Sequence, residues 1–449
     1  MIIRLNNKNK KEGENKMKLK NSLMFLSSLM LFVIVGCSTD DDGDDGGATL
    51  IDTPATYTFT SRFDETASSV SYSGQVVRNL LINDIGSQMK ADAGPGGTSA
   101  NVLSMMANDD VDRLISNLSS VSTNQTKYRE ISSSHLNDRL EAVSDIIIPG
   151  YNANAGTLIA GWAAEAAAAG NTRGNGLQLD QIAQKTLWGA VSYWQATSKY
   201  LISKLEGSDN ATQVDDGGTL KPYTKMEHYW DESFGYFGAA VDYHTGYTDD
   251  SDRKTDPYYD SDSDGMIDFL SEVNAGWAVT AAKRDVCADC DENYDFTKTI
   301  FDAYLEGRTL ITNQADPVEV LAQKDIVVKT WEKVVAAVSV HYVNEVIDDI
   351  AGFIGAGDTT IAAGSDATAN YEKHWAEMRG YANGLLYNTE KMIPDENLNR
   401  IFVVMGTAPV YPTDGNFDAM QAYHDQLKNE VRQIFAQDYG FSQANVAGW

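Results

Sequence analysis

The sequence predicts an all-α protein built as two related helical bundles. Three observations carry that expectation. Apolar residues recur at helical spacing along most of the chain, strand-type alternation is nearly absent, and one tryptophan-centred pattern occurs twice.

In chain order, Val76, Val77, Leu80, Leu81 and Ile85 form a first helical stripe. Val111, Leu114, Ile115 and Leu118, spaced i, i+3, i+4, i+7, predict a second. Long Ala-, Leu- and Trp-rich segments follow at 179–205, 226–243, 296–312, 317–350, 370–390 and 415–436. Asp295 and Asp414 stand where N-caps are expected, and Pro317 where a first helical turn tolerates proline. Only "RIFVVMG" (400–406) is ambiguous between strand and helix. "EGSDNATQVDDGGTL" (206–220) and "GAGDTTIAAGSDATA" (355–369) read as loops between long helices.

The two loops divide similar halves. Trp230-x-Glu232-x-x-Gly235-Tyr236 recurs 145 residues later as Trp375-x-Glu377-x-x-Gly380-Tyr381, and upstream "KTLWGAV" (185–191) faces "KTWEKVV" (329–335). Each half reads long helix, Gly/Asp loop, second helix. This predicts an internal duplication, with repeats at about 175–310 and 318–449 of an all-α domain spanning 55–449.

Residues 1–54 are read separately. Lys18 and Lys20 precede a 13-residue apolar run from Leu23 to Val35, too short to span a bilayer, which predicts a secretory signal over 1–36 with Met17 as the expected start. Ile34-Val35-Gly36-Cys37 resembles a bacterial lipobox, which implies lipid on Cys37 as the mature N-terminus. Residues 37–54 open with "CSTDDDGDDGG", an acidic, Gly-rich stretch with no apolar area to offset its chain entropy, so a disordered tether is expected. It resembles the acidic tag that sends some Gram-negative lipoproteins to the outer face of the outer membrane. The expected location is therefore the outer membrane, lipid-anchored and facing the exterior.

Charge narrows the partners. Beyond residue 36 the chain holds 28 basic and 62 acidic side chains, which argues against nucleic acid and suits cations or plain solubility. Apart from Cys37 the cysteines are Cys287 and Cys290, a single CxxC lacking the second pair a zinc site needs; in an exported protein it is read as a local disulfide.

"DSDSDGMIDFLSE" (260–272) is the strongest motif. Alternating Asp260, Asp262 and Asp264, a turn Gly265, the backbone carbonyl of Met266 and then Asp268 supply the hard oxygens and geometry of a calcium loop. The twelfth position is Ser271, with Glu272 one place further on, and no entering helix is expected before the loop. A structural Ca²⁺ site in a non-EF-hand setting is therefore predicted, a solvated acidic loop being the other reading.

The repeated helices carry the second candidate site. His228 and Glu232 share one helical face, with Asp231 on the neighbouring one; His374 and Glu377 share a face in the second copy, and His341 with Glu345 adds a third pair. Imidazole with carboxylates suits iron or zinc. Core packing, with the carboxylates hydrogen-bonded internally, explains the same residues.

"MEHYWDESFGYFG" with "KHWAEMRGYANGL" resembles an uncharacterised family of helical lipoproteins from Gram-negative bacteria, over roughly residues 55–445. It is more distantly similar to imelysin-like proteins. That resemblance implies export, two related bundles, a role in iron uptake with an unidentified outer-membrane transport partner, and a His-x-x-Glu metal motif. His374-x-x-Glu377 matches it; His228-x-x-Asp231 has Asp for Glu, and the Gly that precedes the family's His is Glu227 in one copy and Lys373 in the other.

No Gly-rich phosphate loop, Gly-x-Ser-x-Gly elbow or His-Glu-x-x-His is present, and His135, His244 and His424 have no distinctive partners. The sequence thus points away from enzymes. It points to a binding protein for a metal ion or small ligand, or else to a structural or glycan-capturing module with a structural calcium site.

Overall fold

A computed structural model of the protein describes residues 50–116, 121–243, 257–285 and 287–449. The lipobox Cys37, the signal, most of the tether, Leu118 and His244 lie outside them. The described residues gather into one compact unit.

The chain is mostly helical, as the periodicity requires. The first long helix, α1, runs Ser73–Ala91 and buries the predicted Val77, Leu80, Leu81 and Ile85. After α2 (Ala100–Ala107) the chain leaves the helix through Asn108 in the left-handed region. The helix expected on Val111, Leu114, Ile115 and Leu118 is absent from its described part. Asp109 and Asp110 follow that left-handed residue, Leu114 pairs with Lys127 in an isolated bridge, and only Ile115 is buried while Val111 and Leu114 are exposed. α3 (Ala155–Ala169) is capped by Asn154, whose side chain accepts the Thr157 N–H.

α4 (Leu179–Leu187) continues as π-helical turns over Trp188–Tyr193 and Gln195–Ile202. The wider turn leaves carbonyls without their usual partners, and side chains take them: Trp277 Nε1 donates to Trp188 O and Thr197 Oγ1 to Tyr193 O. The 206–220 loop carries a minimal hairpin, β1 (Asp215–Asp216) with β2 (Thr219–Leu220).

α5 (Lys225–Phe237) begins with a capping box. Glu227 N donates to Thr224 Oγ1 and Thr224 N to Glu227 Oε2, and the helix stops at Gly238 in the left-handed region. α6 (Gly276–Asp285) and α7 (Phe296–Thr312) follow, α7 capped by Asp295 as expected. α8 (Pro317–Ala356) is the spine: its 40 residues extend about 60 Å at 1.5 Å per residue. Pro317 is its first residue, Asp316 its cap and Gly357 its left-handed stop. α9 (Ala369–Asn383) precedes α10 (Asp395–Met405), so the ambiguous 400–406 stretch is helical up to Met405, with Gly406 ending the helix. α11 (Asp418–Gln426), α12 (Arg432–Tyr439) and α13 (Gln443–Gly448) close the chain. Asp414 is no cap; it sits in a turn at φ 54° four residues before α11.

α8 packs between α7 and α9; α9 also lies on α4, and α4 on α1. α5 packs on the π-helical continuation of α4 and on α1 and α7. One hydrophobic core runs through both proposed halves, with Trp230, Trp277, Trp331 and Trp375 fully buried in it. The body is therefore not two separately cored bundles.

Candidate functional site

The acidic loop is pinched at its base and pinned at its far end. At the base Tyr258 bridges Val273, Tyr259 N donates to Glu272 O and Asn274 N to Pro257 O. At the far end Ile267 exchanges backbone hydrogen bonds with Ser122 and Asn124 and is buried, as expected of that position. Between them Ser263 and Gly265 adopt left-handed φ of 60° and 83°, the turn that brings alternate carboxylates together. One oxygen each from Asp260, Asp262 and Asp264 lies within 4.8 Å of the others, and these three can hold a metal ion. Loop amides already converge on them: Asp264 N donates to Asp260 Oδ1 and Asp262 Oδ1, Gly265 N to Asp260 Oδ2.

The remaining predicted ligands brace the loop. Asp268 Oδ1 accepts from Gln125 Nε2 and Leu270 N. Glu272, 3% exposed, accepts from Ser261 N and Oγ at Oε1 and from Asp268 N at Oε2. Asp262 shows the tension of the cluster. The Asp264 amide holds its carboxyl down; desolvation and the charges of Asp264, Glu272 and Asp260 together outweigh that and raise it.

The His and carboxylate groups of the two repeated helices do not gather. Among the described residues, Asp260, Asp262 and Asp264 are the only set of three or more such groups with ligand atoms this close. His228 stacks on Tyr223 with ring centroids 4.6 Å apart, 3.8 Å from Glu232. Glu232 accepts from Gln75 Nε2 and Tyr200 Oη. Asp231 turns away into the core, where Arg308 Nε donates to it at 2.9 Å and Tyr57 Oη at 2.8 Å. Burial pushes its carboxyl up to about 6 against the opposing pull of Arg308.

On α9, His374 Nδ1 lies 2.8 Å from Asp349 Oδ2 and 3.7 Å from Glu345. The Asp349 hydrogen bond raises its pKa above the ordinary imidazole value, against desolvation. His341 is drawn down to about 3, by burial first and then by the charge of Arg284. Glu377 leaves His374 and meets Lys185 Nζ at 3.3 Å. Two of the five expected ligands thus hold protein cations, so a metal there would have to displace Arg308 or Lys185. The core-packing reading describes these residues as they stand. Cys287 and Cys290 are joined in a disulfide, Cα atoms 5.4 Å apart.

A cleft of ligand size lies beside the acidic loop. It encloses about 380 Å³, within the range of small-molecule pockets. Phe269, Val273 and Asn274, from the descending limb of the loop, form one wall with Pro257 and Tyr258; the others include Asp84 of α1, Lys185 of α4, Trp188 of its π-helical continuation, Lys283 of α6 and Tyr381 of α9, with Ile115 and Ser116 between α2 and α3. Next to Tyr381 on α9, a Cβ at Gly380 would stand 2.6 Å from Lys185 Cβ, so only glycine lets α9 and α4 approach this closely. Gly235 on α5 allows a similar close approach, with Tyr72 Cβ 2.5 Å from where its Cβ would be. Asp84, at the other end, accepts from Tyr128 Oη and Ser116 N, and burial raises its carboxyl. No sequence signal drew these residues together, because they come from positions 80 to 381.

Residues 54–369 match a family described as a domain of unknown function, DUF4856. The chain belongs to that family. The DUF4856 match takes in α1 to α8, the acidic loop and the first Trp-x-Glu-x-x-Gly-Tyr helix, and ends at Ala369, the first residue of the second such helix. No curated protein and no solved structure matches the chain. Among the described residues no helix is long and apolar enough to cross a membrane.

Proposed function

We propose that this DUF4856 protein is a non-enzymatic binding protein, tethered to the outer membrane by lipid on Cys37, in which a Ca²⁺ ion clamps the loop that walls a small-ligand cleft. The observation that carries the reading is continuity of chain. The carboxylates of Asp260, Asp262 and Asp264 stand five to fourteen residues before Phe269, Val273 and Asn274, which line the cleft. Without an ion those carboxylates repel one another; with one, the loop and the wall below it share a fixed geometry. Asp268 and Glu272 act in this reading as braces, and the Met266 carbonyl stays the expected backbone ligand. We also take the two halves as copies of one ancestral unit. Full burial of both Trp230 and Trp375 and the close helix contacts of both Gly235 and Gly380 support that.

Calcium added to chelator-stripped protein should raise the thermal midpoint, and Asp262→Ala with Asp264→Ala should abolish the rise. Binding to the folded state alone stabilises by about 2.7 kcal/mol at a hundredfold excess over Kd. A flat response at millimolar calcium would remove the clamp. For the anchor, Cys37→Ala should move the processed protein from the membrane fraction to the soluble one; a variant that stays with membranes would count against lipidation.

A further inference from the structure

The cleft has a surplus of donors. Asn274 is 2% exposed, its Oδ1 accepts the Ala240 amide at 2.8 Å, and its Nδ2 is buried without a hydrogen-bond partner. Lys283 stands exposed at the rim, at the last turn of α6, with no ion-pair partner among the described residues. Behind it the buried Nε of Arg284 also lacks a partner. Lys185, the second amine lining the cleft, has one carboxylate, Glu377, and its remaining protons go to Gln181 and Gln184. Two amines, Lys185 and Lys283, thus line the cleft against one carboxylate, Asp84, which lies at the other end and is already hydrogen-bonded to Tyr128 and Ser116; with Glu377 taken by Lys185, Lys283 has no carboxylate of its own. In a chain with 64 acidic and 35 basic residues, this local excess of cation runs against the whole. A buried donor left unmet costs free energy, which a ligand rich in acceptors recovers.

Trp188, Tyr258 and Tyr381 set aromatic rings around the same space, with Gln184, Thr280 and Asn83 between them. Aromatic surface beside amides and hydroxyls suits a ring with apolar faces and hydroxylated edges. Resting on the reading of the cleft as a binding site, we propose that its ligand is a single acidic sugar. Its carboxylate meets the Lys283 end of the cleft, and its ring oxygens or hydroxyls accept from Asn274.

The test is calorimetric titration of the full mature protein with glucuronate, galacturonate and N-acetylneuraminate, each beside a neutral partner: the methyl glycosides of glucose and galactose, and the methyl ester of N-acetylneuraminate. At least one acid should bind tenfold or more tighter than its neutral partner, as a charge-assisted contact requires. Lys283→Met, at an exposed position, should erase that preference and leave the calcium-induced thermal shift unchanged. Equal binding of acid and neutral sugar would overturn the acidic-sugar assignment and leave the binding-protein reading standing. Binding of none of the six, with the calcium shift intact, would overturn the assignment of sugars to this cleft. Preference for the acid that survives in Lys283→Met would overturn the placement of the carboxylate.

Discussion

Trp230→Ala should cost about 3–5 kcal/mol of folding stability, and Trp375→Ala a similar amount, measured by urea unfolding. Both indoles are fully buried, and each is also a hydrogen-bond donor: Trp230 Nε1 to Tyr304 O at 3.0 Å, Trp375 Nε1 to Tyr423 Oη at 2.9 Å. Truncation therefore opens a cavity and strands a buried acceptor at once. Trp230 also lies against Gly307, where a Cβ would run into the indole. Gly307→Ala should thus destabilise by the same packing route. A loss under about 1 kcal/mol at either tryptophan would show that its site can collapse, and would weaken the equivalence of the two helices.

The second large effect is expected at Arg308. Arg308→Ala should cost on the order of 3–5 kcal/mol, because it leaves Asp231 buried without its cation and Glu227 with Arg62 alone, at 3.4 Å. The guanidinium is fully buried and satisfied on every side: Nε on Asp231, Nη1 on Glu227 at 3.1 Å, Nη2 on Ser69 Oγ at 2.7 Å, with the Phe59 ring 4.9 Å from Cζ. The loss should grow as pH rises through about 6, where the buried Asp231 carboxyl ionises. The sign follows from Asp231 in the variant, which has lost the opposing pull of Arg308. Its carboxyl then lies still further above the unfolded value, the native state binds more protons, and stability falls with rising pH across that window. Adding Asp231→Asn to Arg308→Ala should recover part of the loss at neutral pH. If the double variant is no better than the single one, the buried charge is not what destabilises it.

Arg308 also shows where sequence reading stopped. The helices were legible because their apolar residues repeat at short spacing, and the starts at Asp295 and Pro317 because capping is a local matter; the segment expected over 226–243 stops earlier, at Gly238. The acidic loop was legible for the same reason: its chemistry sits within nine residues. Asp231 was grouped with His228 from spacing on one helix, yet its partner lies 77 residues away on α7. A signal did exist. Arg308 falls i+4 from Tyr304 and i+7 from Phe301 on the buried face of α7, and a cation at a core position needs a buried anion. Lys185 carries the same signal on α4, and it resolves Glu377 as an ion-pair partner. The cleft offered no such hint, since no short spacing joins Asp84, Trp188, Lys283 and Tyr381.

Hydrogen exchange of the stripped protein, with and without calcium, tests the central claim most directly, since it reads the loop and the cleft wall together. Calcium should slow exchange of the amides from Tyr258 to Asn274, the pinched base included, while the interior of α8 stays unchanged. Protection confined to Asp260–Asp268, with Phe269–Asn274 unaffected, would contradict the claim that the ion holds the wall of the cleft.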